Sequence, residues 1–181
     1  MKPTRQVALL RGVNVGGRST IAMADLRRLV TGLGYEGVRT LLQSGNVVLT
    51  ASKAPATVAR EIEKAIAKEL GADPKVLVRT RDELAAVIEG NPMPAAVSNG
   101  ARFFVTFLSG EPPKGALSEL DPVDFAPDEF RGGGREIYLH CPDGVHDSRL
   151  ARALSEKRLG VIATTRNWNT VTKLLATADE E

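Results

Sequence analysis

Three short stretches bring together residues able to bind an anion. The first, Leu9-Leu10-Arg11-Gly12-Val13-Asn14-Val15-Gly16-Gly17-Arg18, is an apolar run that breaks into a loop of three glycines, one asparagine and two arginines. Glycines at Gly12, Gly16 and Gly17 let a backbone approach a phosphate closely, and Arg11 and Arg18 can supply charge-assisted hydrogen bonds. A helical pattern follows, so the loop can also present N–H groups near a helix N-terminus. The spacing G-x-x-x-G-G is neither a P-loop nor a dinucleotide fingerprint: the Lys-Ser/Thr ending of the first is missing, as is the third glycine of the second. A purely structural account also fits, in which glycines permit a tight turn and Asn14 bonds the loop to itself.

The second stretch, Gln43-Ser44-Gly45-Asn46, offers amide and hydroxyl groups that can orient a ligand, or a hairpin turn whose polar side chains satisfy their own backbone. The third, Thr164-Thr165-Arg166-Asn167-Trp168-Asn169-Thr170, joins an arginine and two asparagines to the only tryptophan, and Lys173 follows seven residues after Arg166. The reading is of a helix start, with Trp168 turned inward. Arg166 and Asn167 either face an anion or clamp two parts of the chain through buried hydrogen bonds. His140, Cys141, Asp143 and His146 form a metal-like cluster on paper only, because their spacing has no second Cys/His pair. No metal and no cofactor is expected. Cys141 lacks an assignable base and is not read as a nucleophile.

Composition narrows the classes. With 181 residues, 43% hydrophobic and 25% charged, the chain can build a core as a soluble globular protein. The 4% aromatic content leaves few base-stacking platforms, so an RNA-reading sheet is disfavoured and nucleic acid is only a weakly supported partner. One cysteine excludes an internal disulfide and, with no signal-peptide pattern at the start, suggests the cytoplasm; no run reaches membrane-spanning length. Net charge is +2, yet residues 1–50 hold 7 Lys/Arg against 2 Asp/Glu, while residues 101–150 hold 5 against 9. That asymmetry suits a local anionic partner near the first loop, or complementary halves. Oligomeric state is not legible.

The elements that must position these residues follow from periodicity. Gln6 to Leu10 reads as a strand. Met23, Leu26, Leu29, Val30 and Leu33 read as a helix capped by Thr20 and stopped at Gly34, and Val38–Gln43 with Val47–Thr50 as a hairpin. A helix follows Pro55 and closes at Gly71. Lys75–Arg79 is a strand, and Thr80-Arg81-Asp82-Glu83 is a capping box opening a short helix. The order β-α-β-β-α-β places Gly12–Arg18 beside the 43–46 hairpin, with the turn at Gly71–Pro74 on the same rim. Residues 91–100 read as a linker. Beyond it come a strand over Arg102–Leu108, a helix over Lys114–Leu120, and a hairpin of Phe125–Arg131 with Glu136–Cys141 turning on Gly132–Gly134. A helix from Asp147 or Ser148, a short run at Val161–Ala163 and a last helix complete the chain. The class is α+β, two ferredoxin-like (split β-α-β) halves at 1–90 and 101–181 arising by internal duplication.

The motifs at Leu9–Arg18 with Met23, Leu26 and Arg27, at Gln43-Ser44-Gly45-Asn46-Val47, and at Thr165–Val171 with Lys173-Leu174 together resemble the bacterial domain-of-unknown-function family 1697 over nearly the whole chain. Leu42, where an aromatic or Ile is common, and Arg149, where Lys is usual, are mild departures. The resemblance implies a two-part α+β fold with ferredoxin-like halves and no established activity, and it carries over no catalytic residue. The functional expectation is a nucleotide, short RNA segment or other phosphate-bearing ligand on a rim of Arg11, Gly12, Asn14, Gly16, Gly17, Arg18, Gln43, Ser44 and Asn46. One alternative is an enzyme acting on a phosphorylated or anionic small molecule, whose pocket Arg166, Asn167 and Lys173 complete through stabilisation of developing charge. Another is that these motifs are structural glue.

Overall fold

The computed structural model describes residues 1–17 and 19–180; Arg18 lies outside the described residues. The chain divides into two compact units, Met1–Ala86 with Lys173–Glu181, and Val87–Thr172. The C-terminal residues from 173, assigned by periodicity to the second half, are thus part of the first unit. Residues 91–100, expected as a bare linker, contain a 3-10 helix at Pro94–Asn99 within the second unit.

Unit 1 is built on β1 (Thr4–Leu10), α1 (Met23–Gly32), β2 (Glu36–Leu41), β3 (Asn46–Ala51), α2 (Pro55–Leu70) and β4 (Val76–Thr80). The antiparallel sheet has the order β2-β3-β1-β4, with β1 paired to β3 and β4. One face carries Ala8, Leu10, Val47, Leu49, Val76 and Val78 against Leu26 and Val30 of α1 and Val58, Ile62 and Ile66 of α2. Burying each Val, Leu or Ile side chain among them contributes about 1.5–3 kcal/mol. Apolar residues at helical spacing therefore select this packing. Pro55 suits the first turn of α2, where its missing N–H costs nothing, and Gly71 ends the helix in the left-handed conformation. The opposite face is buried too, at Val7, Leu9, Val48 and Leu77. Arg5 reaches from that side to the carbonyls of Thr177 and Ala178, at 3.4 and 3.3 Å.

α3 (Arg81–Glu89) begins with the expected capping box: the Glu83 amide donates to Thr80 Oγ1 at 3.1 Å and the Thr80 amide to Glu83 Oε2 at 2.8 Å. At α1 the expected cap fails. Ala22, not Thr20, holds the N-cap position, and no side chain bonds there.

Unit 2 repeats the plan with β5 (Phe103–Leu108), β6 (Glu129–Gly133), β7 (Glu136–His140), α4 (Arg149–Ala153), α5 (Glu156–Leu159), β8 (Ala163–Asn167) and the start of α6 (Trp168–Asp179), in the sheet order β6-β7-β5-β8. Phe104, Leu108, Ile137, Leu139 and Cys141 form its core with Leu150, Leu154 and Leu159. On the other face, Phe103 stacks with Tyr138 at 6.3 Å and meets Trp168 at 5.1 Å, and Tyr138 Oη donates to the Val87 carbonyl at 2.7 Å. Trp168 is thus half-buried against an aromatic partner.

Lys114–Leu120 is a series of turns, not a helix: Gly115 at φ +93° cannot continue a right-handed helix, and the Ala116 and Leu120 amides bond i to i−3, to Pro113 and Leu117, beside an i to i−4 bond from Glu119 to Gly115. The strand expected from Phe125 starts only at Glu129, past Pro127, which has no N–H for the ladder; Pro122–Phe125 is a 3-10 turn. The apolar run at 161–163 is displaced too. The strand is Ala163–Asn167, so the Thr-Thr-Arg-Asn segment lies on a sheet, where β-branched residues fit the pleat.

The two units match at single positions. Arg79 lies opposite Val7 and precedes the capping Thr80; Arg166 lies opposite Val105 and precedes Asn167, whose Oδ1 accepts from the Thr170 amide at 2.9 Å. The Leu10 amide donates to the Gly45 carbonyl and the Arg11 amide to that of Lys75, both at 2.8 Å. In unit 2 the Leu108 amide donates to Arg135 at 2.8 Å and the Ser109 amide to Ile162 at 2.9 Å. These shared details support the duplication beyond element order.

Two predictions follow from unit 1. Gly45 has φ +80°, and a Cβ there would lie 2.8 Å from Leu10 Cβ. Gly45→Ala should therefore cost roughly 2–4 kcal/mol from left-handed strain plus overpacking, read by urea unfolding. The second concerns acid stability. Lys53 Nζ and Tyr35 Oη both donate to Glu61, at 2.8 and 2.5 Å, and these bonds hold its carboxyl below the ordinary range; burial and Glu61 together push the Tyr35 hydroxyl up. A depressed carboxylate stabilises the fold above its unfolded pKa and loses that contribution as pH falls through the folded value. Melting curves between about pH 3 and 7 should show an acid limb that Glu61→Gln makes shallower. An identical pH profile in both proteins would contradict the assignment.

Candidate functional site

The loop after β1 and the hairpin between β2 and β3 meet at one end of the unit 1 sheet, as the split β-α-β topology requires. Asn14 joins them. Its Nδ2 donates to the carbonyls of Ile21 at 2.9 Å and Gln43 at 2.6 Å, while its Oδ1 accepts from the Ile21 amide at 2.9 Å. Its backbone amide donates to Ser19 at 3.2 Å. Asn14 takes a left-handed conformation, φ 56°, which asparagine tolerates better than most residues. The carboxamide is therefore engaged in closing the loop and fastening it to the hairpin.

Asn46 has a comparable role. It is fully buried, and its Nδ2 donates to the Leu41 carbonyl at 2.8 Å and to Ser44 Oγ at 2.9 Å, holding the chain reversal between β2 and β3. Ser44 is half-buried beside it, whereas Gln43 is exposed. The bond from the Arg11 amide to the Lys75 carbonyl brings the start of β4 to the same end.

The outer part of the loop is open. Gly12, Gly16 and Gly17 are exposed, and an added Cβ at any of them would meet nothing within 4 Å. Their positive φ values, +69°, +60° and +71°, are the reason for glycine here, in contrast to Gly45, where space is also lacking. Arg11 stands exposed at the loop's base. Two apolar residues on this end carried no polar signal in the sequence: Val15 is 60% exposed, and Leu42 is 52% exposed with φ 58°. An exposed leucine held in a left-handed conformation stores strain.

The third motif is divided between the units. Arg166 and Asn167 are in unit 2, while the loop, the hairpin and Lys173 are in unit 1. Arg166 is 8% exposed on β8 and donates to Thr164 Oγ1 at 2.7 Å and to the Thr165 carbonyl at 3.0 Å; burial pulls its pKa down to about 10, so it stays charged at neutral pH. Asn167 caps α6, and Lys173 is exposed on that helix. Cys141 is fully buried with its Sγ 3.7 Å from Ser148 Oγ, and burial raises its pKa. Ser148 in turn donates to Asp128 at 2.6 Å and accepts from the Ala151 amide at 2.9 Å as the cap of α4. Among the described residues no group of three or more His, Cys, Asp or Glu is placed to hold a metal ion.

Two split β-α-β units with the same strand order, one with a glycine loop pinned to its hairpin, define a duplicated ferredoxin-like α+β protein. The chain belongs to the family described as protein of unknown function (DUF1697), whose model matches residues 3–138. It also resembles the solved structure of the conserved bacterial protein SP0830 from Streptococcus pneumoniae, with a TM-score of 0.76 and 22% identity over 98% of this chain and 99% of that one. At that identity the likeness concerns the fold. A search of curated proteins finds no match.

The cap at Asn167 gives a test that separates structure from site. Asn167→Ala should lower stability by ~1 kcal/mol, as loss of an N-cap does, and Asn167→Asp should restore most of it. Equal stability of all three proteins in urea would remove the capping role.

Proposed function

We propose that unit 1 binds a phosphate-bearing ligand, a nucleotide or a short RNA segment, on the rim made by residues 11–18 and 43–46. The observation that carries this reading is the division of labour in the loop. Asn14 spends its side chain fixing the loop to Gln43, while Gly16 and Gly17, left-handed and exposed, leave open space where other residues would project a Cβ. Preorganised backbone of this kind suits a phosphate, because little ordering entropy is lost on binding. The exposed Arg11 supplies charge at the base of the loop.

Val15 and Leu42 favour a ligand with an organic part over free phosphate, since they offer apolar surface beside the polar rim. The strain at Leu42 points the same way, for such conformations cluster where a ligand is clamped. The setting we propose is the bacterial cytoplasm, which suits the single buried thiol of Cys141 and the bacterial origin of the structural relative.

A calorimetric screen of nucleotides and short RNA oligomers at low salt is the direct test. Wild-type protein should bind at least one, and Arg11→Ala and Arg18→Ala should each weaken binding about tenfold, the worth of one charge-assisted contact. Binding by all three proteins with the same affinity, or by none, would sink the proposal.

A further inference from the structure

Unit 2 carries a groove of about 570 Å³ lined by Lys114, Arg152, Lys157 and Arg158, with Glu119 as its single carboxylate. All five are exposed. Glu119 lies 3.8 Å from Arg158, a long contact between exposed groups that offsets little of the positive charge. The remaining lining is Pro113, Ala116, Ala153 and Ser155. Four cations around one small groove contrast with a chain whose net charge is only +2 and with the acidic excess across residues 101–150.

The fold explains why these residues meet. The stretch 109–120 leaves the end of β5 as the glycine loop leaves β1, and α4 and α5 precede β8 as α2 precedes β4. The groove therefore occupies, in unit 2, the place between the first connection and the second helical segment. Here the first connection contributes Pro113, Lys114, Ala116 and Glu119, and the charge comes mainly from Arg152 of α4 and from Lys157 and Arg158 of α5. In the sequence the signal was the cluster Arg149, Arg152, Lys157 and Arg158, which reads as an ordinary solvated helix face until the turns at 113–119 are brought against it.

Like charges held together repel one another, and a multivalent anion relieves that repulsion while releasing counterions. Among the described residues no aromatic side chain lines the groove, so recognition rests on charge and not on base stacking. We infer that this groove is a second anion site, one that takes ligands carrying several adjacent phosphates and is indifferent to the base or sugar attached to them. It does not depend on the unit 1 rim.

Titration of the full chain with inorganic tripolyphosphate, followed by calorimetry and thermal melting, tests this inference. Wild-type protein should bind and melt at a higher temperature in its presence. Adenosine, guanosine and cytidine triphosphates should bind within about threefold of one another, and raising salt from about 50 to 200 mM should weaken each by tenfold or more. The double variant Lys157→Glu, Arg158→Glu should lose at least about tenfold in affinity, whereas Arg11→Ala should still bind tripolyphosphate at this groove, whatever it loses at the unit 1 rim. The milder Lys157→Gln, Arg158→Gln should give an intermediate loss with an unchanged ligand-free melting curve, which separates lost binding from lost folding. Failure of wild type to bind tripolyphosphate would overturn the inference, as would undiminished binding by both double variants. Loss confined to Arg11→Ala would assign the anion to the unit 1 rim alone, and a strong preference for one base would rule out recognition by charge.

Discussion

Each half of this protein is organised by a central strand with no solvent-facing side. In β1, Val7, Ala8, Leu9 and Leu10 are all fully buried, and Phe103, Val105, Phe107 and Leu108 are so in β5. A strand of this kind has partners on both edges and must be covered on both faces, so its polar backbone is satisfied by sheet hydrogen bonds and its side chains by core. Once β1 is placed, the loop that leaves it has only one end of the sheet to occupy. The Leu10 and Arg11 amides then bond to the neighbouring hairpin and to the start of β4, and the glycine loop begins from a fixed point.

From that point Asn14 governs the local geometry. One carboxamide satisfies the Ile21 amide and two carbonyls, the second of them on the neighbouring hairpin. The same economy appears at Asn46, buried under the reversal between β2 and β3. These asparagines, which on sequence could have been ligand groups, are supports, and what they support is exposed glycine backbone with Arg11 at its base. The distinction matters for any mutational test of the proposed binding. Removing a support perturbs the fold as well as the rim, so charge at Arg11 is the cleaner probe.

Duplication gives the chain two copies of one plan, and the copies have diverged in their connections more than in their sheets. The positions at the ends of the strands persist, down to the buried arginines Arg79 and Arg166 followed by a capping residue. The connection after the first strand does not. In unit 1 it is a glycine loop leading to a ten-residue helix, and in unit 2 it is a proline-led series of turns beside a basic groove. Strand ends are constrained by backbone hydrogen bonds that any divergent copy must keep, whereas a surface connection has no such obligation.

Periodicity determined β1 to β4 with α1 and α2, because these helices are amphipathic and the strands between them alternate or run continuously apolar, but it could not assign the end of α6 to unit 1. It also determined that the glycine loop and the 43–46 hairpin share an end, since strand order follows from handed connections. Periodicity failed where prolines and short segments dominate, at 112–131, where local turn chemistry outweighs any apolar pattern. Tertiary structure alone decided what each polar residue does. Whether Asn14, Asn46, Arg166 or Asn167 faces a ligand or a neighbour depends on which distant backbone groups lie within hydrogen-bond reach, and spacing along the chain does not encode that. It likewise decided that Lys114 stands beside Arg152, Lys157 and Arg158, for a cluster of like charge forms only when the core beneath it brings separate segments together.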